Sequence, residues 1–330
     1  MQNRQSNNYP GRSSDCTAER WIIMDILKLI EMTLSATMRM GTPLLLASVG
    51  GMFASRCGIM PLGVEGMITI GAFSAVCGSY FTASPWIGLL LGVAVSSALA
   101  LLNAWLCIRF HVNHIIGGLG LNMLVAAVVG IFLQTLWGSS TNSPSVESVK
   151  GLDLPFLTDI PIVGALFSGQ FLVTYVAILL VPLTWFLLFR TKFGMRVRII
   201  GNNPYVASTS GVQVNRYKYM FMLLCGILAG LAGAFLSICQ MNMFVEGMSS
   251  ERGYISNVIC ALGSSNPVGI LGASFLFGLA DAAQLSLQDL NIPSQLLRML
   301  PYCVTVIALM FVKGNRGIAA FEGKHFEEIK

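Results

Sequence analysis

The chain has 330 residues, 55% of them hydrophobic and 11% charged, with 34 glycines and a formal net charge of +5. Soluble domains carry about 25% charged residues, so a surface facing water on all sides is excluded and the chain reads as an integral membrane protein. The basic excess flanks apolar runs, the positive-inside pattern of a membrane face, and it is not a nucleic-acid footprint.

Residues 1–21 form a polar N-terminal tail without the apolar core of a cleaved leader. Residues 22–312 are expected to form one transmembrane domain. Within it, 22–56 is apolar but carries Arg39, followed by Gly41, Thr42 and Pro43. That pattern predicts an interfacial or tilted segment and then a span over about 42–56. Runs at 62–82, 86–108, 115–138, 171–189, 220–240 and 295–312 are each long enough to cross a hydrocarbon core of about 30 Å as helices. The run 254–287 is too long for one simple span and is interrupted by "GSSNPVG", so it reads as a broken or re-entrant helix followed by a second span. The expected fold class is all-α and polytopic, with eight to nine crossings, closed by a cytoplasmic tail at 313–330.

Loop charge sets the orientation. Residues 190–218 carry Arg190, Lys192, Arg196, Arg198, Arg216 and Lys218 and no acid, which places them in the cytoplasm. The 139–170 loop carries Glu147, Asp153 and Asp159 against Lys150, and is placed outside. Gly226 and Gly230 form a GxxxG that Ala229, Ala232 and Gly233 extend, a face that lets helix backbones approach closely.

The eight cysteines contain no CxxC and have no histidine at ligand spacing, so neither a disulfide framework nor a metal site is expected. His111, His114 and His325 lie at a span boundary or in the tail, and no nucleophile–base set appears. No GxxxxGK[ST] occurs, so the chain has no phosphate cradle of its own. It is not expected to be an enzyme or to carry a cofactor.

The segment 190–219 is longer than a connection between spans requires. Pro204 suits a first helical turn, Asn202 or Asn203 can cap it, and Gly211 is a natural stop. A short helix of this kind either rests on anionic lipid or is offered to a cytoplasmic partner.

The stretch "RVRIIGNNPYVASTSGVQVNRYKY" resembles the cytoplasmic coupling segment of ABC-importer permeases in the branched-chain amino acid, ribose and nucleoside superfamily. "GTPLLLASVGGMFASRCGIMPLGVEGMITIGAF" (41–73) is similar to that family's first core block. "GILAGLAGAFLSICQMNMFVEGMSSERGYISNVICAL" (226–262) and "NPVGILGASFLFGLADAAQ" (266–284) are similar to its second. "GVEGM", "GMSSERGYI" and "FGLADAAQ" point to the nucleoside-type branch. In the first block this chain reads Ser55-Arg56-Cys57, where the family usually has an acid before its arginine and a serine after it.

The resemblance implies a membrane subunit of an ATP-driven importer in the cytoplasmic membrane. It implies a separate ATP-binding subunit that holds the ATP, an extracytoplasmic substrate-binding protein and a second permease, homologous or identical. Coupling to the ATPase would fall on Arg198, Gly201, Asn203, Pro204, Ala207, Ser208 and Gly211. The nucleoside is the leading substrate, with a monosaccharide such as ribose and a branched-chain amino acid behind it. An ion-coupled secondary carrier is the alternative from another class.

Ionisable groups inside spans are functional candidates, and Glu65 and Asp281 stand out, with Glu246 and Arg252 nearby in sequence. "VEGM" occurs at 64–67 and 245–248, after spans ending on opposite sides, as an inverted repeat would give. The candidate substrate path is therefore Glu65, Met67, Asn122, Gln240, Asn242, Glu246, Asp281 and Gln284. The amide residues could equally bond a solute or a neighbouring helix. The two glutamates could equally cap helices or pair with Arg56 and Arg252. The path is expected to be of modest polarity, with each glutamate accepting bonds from backbone N–H groups freed at a helix break.

Overall fold

The computed structural model describes residues 14–149, 151, 169–287, 294–311 and 322–323, with side chains from residue 32 onward except at 294, 298 and 311. Lys150, Asp153, Asp159, His325 and most of the two tails lie outside the described residues. Apart from isolated bridge positions at Asn142, paired with Val245, and at Gln170, the regular structure among them is helical. The helices are α1 (Ser14–Arg56), α2 (Val64–Thr82), α3 (Pro85–Arg109), α4 (His114–Trp137), α5 (Leu172–Arg190) and α6 (Lys192–Asn202). They continue with α7 (Pro204–Thr209), α8 (Val214–Ala234), α9 (Arg252–Leu262), α10 (Pro267–Ser286), α11 (Ser294–Arg298) and α12 (Leu300–Phe311).

Six of these are long and apolar enough to cross a membrane: α2, α3, α4, α5, α8 with its continuation to Met241, and α10. The C-terminal part of α1 is buried, and Gln295–Met310 is a shorter apolar helical stretch. The break expected inside 254–287 lies at Gly263–Asn266, between α9 and α10.

One expectation is corrected. Residues 22–56 are not two pieces, an interfacial or tilted segment and then a span over about 42–56: α1 runs unbroken through Pro43. A proline inside a helix cannot donate to the carbonyl four residues back, here that of Arg39. Gln240 fills the place from another helix, its Nε2 donating to the Arg39 carbonyl at 2.9 Å. The next carbonyl back, Met38, accepts from the Thr42 hydroxyl at 2.7 Å. The helix survives its proline because a neighbouring side chain bonds the freed carbonyl.

Helix ends follow local rules. Asn113 caps α4, its side chain accepting from the Ile115 N–H at 2.9 Å, and Gly138 closes that helix at φ +65°. Pro85 and Pro267 open α3 and α10, where a missing N–H costs nothing.

Close backbone approach organises the core. α8 is the most enclosed of the spans, and its small face lies against α3 and α2. A Cβ on Gly226 would stand 2.5 Å from that of Ala100, and one on Gly230 would stand 2.8 Å from that of Ser96. Ser96 completes the seam by donating to the Gly226 carbonyl at 2.9 Å. On the other side of the molecule α1 crosses α10, where a Cβ on Gly278 would lie 2.7 Å from the Thr37 carbonyl oxygen. α1 packs on α8, α9 and α10, and α8 packs on α1, α2 and α3. Outward faces of α4 and α5 present Met123, Leu124, Ile131, Leu179 and Leu183, as a lipid-facing surface requires.

Candidate functional site

The cavity that matters opens where α2 and α9 begin. Its volume is about 1010 Å³, and it collects Glu65, Gln240, Glu246, Asp281 and Gln284 from the sequence-derived path. The remaining three do not line it. Met67 is fully buried in the core. Asn122, on α4, is occupied by structure: it accepts from the Gly66 N–H at 2.8 Å and donates to the Leu62 carbonyl and the Tyr254 hydroxyl, both at 2.9 Å. Asn242 sits in the left-handed region at φ 55° and ends the helix after Met241; its carbonyl accepts from Val146 N–H at 2.8 Å.

Glu65 joins the two halves. One carboxylate oxygen accepts the N–H of Gly253 at 2.7 Å, and the other accepts the Ser249 hydroxyl at 2.5 Å. Gly253 is the second residue of α9, whose N-terminal N–H groups have no partner within the helix. Glu65 is itself the second residue of α2, so the two helix starts meet, and a Cβ on Gly253 would lie 2.5 Å from the Glu65 Cα. The negative charge lies where two helix dipoles present their positive ends.

Glu246 differs. Its backbone N–H donates to the Thr141 carbonyl at 2.8 Å, while its side chain lines the cavity. It does not cap α9, which begins six residues later after a loop holding Gly247, Ser250 and Glu251 at positive φ. Only one of the two glutamates thus accepts a freed backbone N–H among the described contacts. Pairing with arginine is also redistributed. Arg252 lies 3.5 Å from Asp281, and Arg56 donates to the Ser265 carbonyl at 3.1 and 2.5 Å.

The stretch Phe235–Met241 continues α8 as a π-helix. Wider turns of this kind are frequent at functional sites, and this one brings Cys239, Gln240 and Met241 to the cavity wall. Sequence reasoning missed Arg39, Glu251 and Tyr302, which also line it. Tyr302 donates to Glu251 at 3.0 Å, a pairing across 51 residues that no local pattern signals. With four carboxyl groups and two guanidiniums, the wall is more charged than the modest polarity expected from sequence.

A second assembly surrounds the basic segment at the far end of α5. Asn203 caps α7, accepting from Tyr205 and Val206 N–H at 3.1 and 3.3 Å, with Pro204 at the first position. Gly211 follows at φ +78°. Ala207 is buried with Ile200 and Val214, and Gly201 and Pro204 are buried beside them, while Tyr205, Val206 and Thr209 are exposed. Ala207 therefore holds α7 in place, and its exposed neighbours form the presented face. Arg198 on α6 stacks on the Phe189 ring at 5.2 Å, and Arg56 at the end of α1 approaches the same ring at 5.9 Å. Through Arg56 and Ser265 this stack reaches the α9–α10 turn. Near it Glu322 takes a hydrogen bond from Ser55, burial raises its carboxyl pKa above the usual range, and Gly323 N–H donates to the Gly58 carbonyl at 3.0 Å.

Comparison with known proteins gives a consistent result. The family model described as "Branched-chain amino acid transport system / permease component" matches residues 33–309. The chain is 31% identical to the guanosine ABC transporter permease protein NupQ of Bacillus subtilis (strain 168), covering 87% of this chain and 93% of that protein. It is also 31% identical to the nucleoside ABC transporter permease protein NupC of Lactococcus lactis subsp. cremoris (strain MG1363), covering 93% of this chain and 100% of that protein. A second Bacillus subtilis protein, the guanosine ABC transporter permease protein NupP, is 26% identical over 87% of this chain and 83% of its own length. Among solved structures, an inward-facing metal-chelate type ABC transporter aligns with a TM-score of 0.50 at 18% identity, over 85% of each chain. That likeness concerns the fold. With its six apolar spans, the chain is a multi-pass protein of the cell membrane.

Proposed function

Since the chain belongs to the branched-chain amino acid transport system permease family, we propose that it is the membrane subunit of an ATP-driven importer of nucleosides. The observation that carries the substrate is the 31% identity along the full length of the Lactococcus lactis nucleoside permease. The cavity is compatible with such a cargo. Four carboxyl groups against two guanidiniums disfavour an anionic solute such as a nucleotide, while a neutral nucleoside can use the same groups as hydrogen-bond partners.

ATP hydrolysis then belongs to a separate subunit, and this chain converts its motion. The presented face of α7, Tyr205, Val206 and Thr209, docks on the ATPase. Arg198, Gly201, Asn203, Pro204, Ala207, Ser208 and Gly211 build and hold that helix. Displacement of α6 passes through the Arg198–Phe189–Arg56 stack to the Ser265 carbonyl, and so to the hairpin whose far end lines the cavity. Glu65, Gln240, Glu246, Asp281 and Gln284 border the path. A second permease, for which this family supplies homologous pairs, completes it, and an extracytoplasmic binding protein delivers the solute. In this arrangement residues 139–149 face outward and 192–214 face the cytoplasm.

Uptake of labelled nucleosides by the assembled complex, in a host lacking nucleoside uptake, tests the reading. Accumulation that requires ATP and resists collapse of the ion gradients is expected. Uptake abolished by an ionophore, with ATP intact, would favour an ion-coupled carrier instead. An impermeant thiol reagent checks the orientation, since a cysteine at Thr141 should be labelled from outside and one at Ser208 should not.

A further inference from the structure

The cavity holds one pair of groups whose hydrogen-bonding capacity is largely unused. A guanidinium has five N–H donors. In Arg252 one Nη meets the Met248 carbonyl at 3.3 Å, the other faces Asp281 at 3.5 Å and the Met40 sulfur at 3.7 Å, and Nε is buried with no partner. A well-formed charge-assisted N–H···O contact is about 2.7–2.9 Å, so this ion pair is loose. Glu65, in the same wall and bonded to the N–H of the residue after Arg252, is by contrast fully engaged at 2.5 and 2.7 Å. Both Arg252 and Asp281 keep 16% of their side-chain surface exposed, and both line the cavity. The fold therefore brings a fork of donors and a pair of acceptors side by side at the edge of a space large enough for a solute.

A ligand that satisfies both must offer two adjacent acceptors to the fork and two adjacent donors to the carboxylate. Among nucleobases guanine has this edge. Its O6 and N7 are the acceptors that arginine reads bidentately, and its N1–H and N2–H lie next to them as donors. Adenine places an amino donor where O6 would be and a ring nitrogen acceptor where the carboxylate needs an N–H. Pyrimidines lack the N7 acceptor. Gln284 lies one helical turn from Asp281 on α10 and lines the same cavity, within range of a ribose hydroxyl, and the half-exposed ring of Tyr302 offers a stacking surface.

We propose that Arg252 and Asp281 form a base-reading pair for guanine, so that this permease itself favours guanosine over adenosine and pyrimidine nucleosides. The inference rests on the nucleoside-import reading above. It deepens that reading by placing selectivity inside the membrane subunit as well as in whatever protein delivers the solute.

The test is uptake of labelled guanosine and labelled uridine by the assembled complex, with the delivering protein unchanged, so that its own preference cancels between variants. Asp281→Asn removes the paired acceptors, and Arg252→Lys keeps the charge but loses the fork. Each is expected to lower the guanosine-to-uridine uptake ratio about tenfold, within the range for a lost bidentate base contact. Asp281→Glu keeps the charge and displaces the carboxylate. It covers the case in which Asp281→Asn does not insert, and is expected to lower the ratio by a smaller factor. A ratio unchanged in the variants that insert and transport would overturn the proposal and leave nucleoside import standing. A wild-type complex that takes up no nucleoside would overturn the import reading itself, and this inference with it.

Discussion

The hairpins α2–α3 and α9–α10 are made by the same local devices and do different work. The first turns through Ala83 at φ 47°, Ser84 and Pro85; the second turns through Ser265 at φ 49°, Asn266 and Pro267. Each is an αL residue, a capping position and a proline in the first helical turn. The difference lies in length. α2 has 19 residues and α9 has 11, about 28 Å against 16 Å. Before the shorter helix comes an irregular stretch, and its residues 246–251 form part of the cavity wall. The two "VEGM" glutamates share one cavity wall, but they are not the pair in direct contact. The second position of α2, Glu65, meets the second position of α9, Gly253, while Glu246 stands apart in the loop.

Gly253 is where that comparison breaks most severely. In Gly253→Leu the new side chain would start 2.5 Å from the Glu65 backbone, which cannot yield as a side chain would. Overpacking costs about 1–3 kcal/mol and occasionally more. The expected outcome is loss of transport and a marked fall in melting temperature in detergent. Gly272→Ala, on α10 where a Cβ meets nothing within 4 Å, should match the wild type.

The two glutamates come next. Glu65→Ala leaves the Gly253 N–H without its acceptor, a penalty of about 1–3 kcal/mol, and should lose most transport while the chain still inserts. Glu65→Gln keeps an oxygen acceptor and should retain substantial transport. Glu246→Ala should change stability little, since its side chain makes no described hydrogen bond. Equal losses in Glu65→Ala and Glu65→Gln, with normal folding, would show that the negative charge itself is needed.

Gln240 spans the halves in the other direction. Gln240→Leu strips the Arg39 carbonyl of the donor that stands in for the N–H missing at Pro43. A stability loss of about 1 kcal/mol or more is expected, and in the double variant Pro43→Ala, Gln240→Leu much of it should return. No recovery would mean that Gln240 acts elsewhere.

The smallest effect separates the turns. Asn266 accepts from the Val268 N–H at 3.3 Å, whereas Ser84 makes no side-chain cap bond. Asn266→Ala should cost about 0.5–1 kcal/mol, and Ser84→Ala should cost less. Equal melting temperatures for the two variants would count against a capping role for Asn266.

What the sequence determined by itself was whatever depends on neighbours along the chain. Long uncharged runs have to become helices in lipid, because no other structure bonds every backbone group within the segment. Asn203, Pro204 and Gly211 shape the basic segment through contacts of a few residues, and the "GSSNPVG" break lies where its glycine and proline put it. Tertiary structure alone decided the partners of polar groups. Asn122 became a strut, Gln240 a substitute donor for Pro43, Glu65 an acceptor for a helix start 188 residues away, and Arg252 a neighbour of Asp281. α1 stayed whole for the same reason. A polar side chain in an apolar bundle bonds whichever unsatisfied group the packing brings within about 3 Å, and spacing along the chain carries no record of that distance.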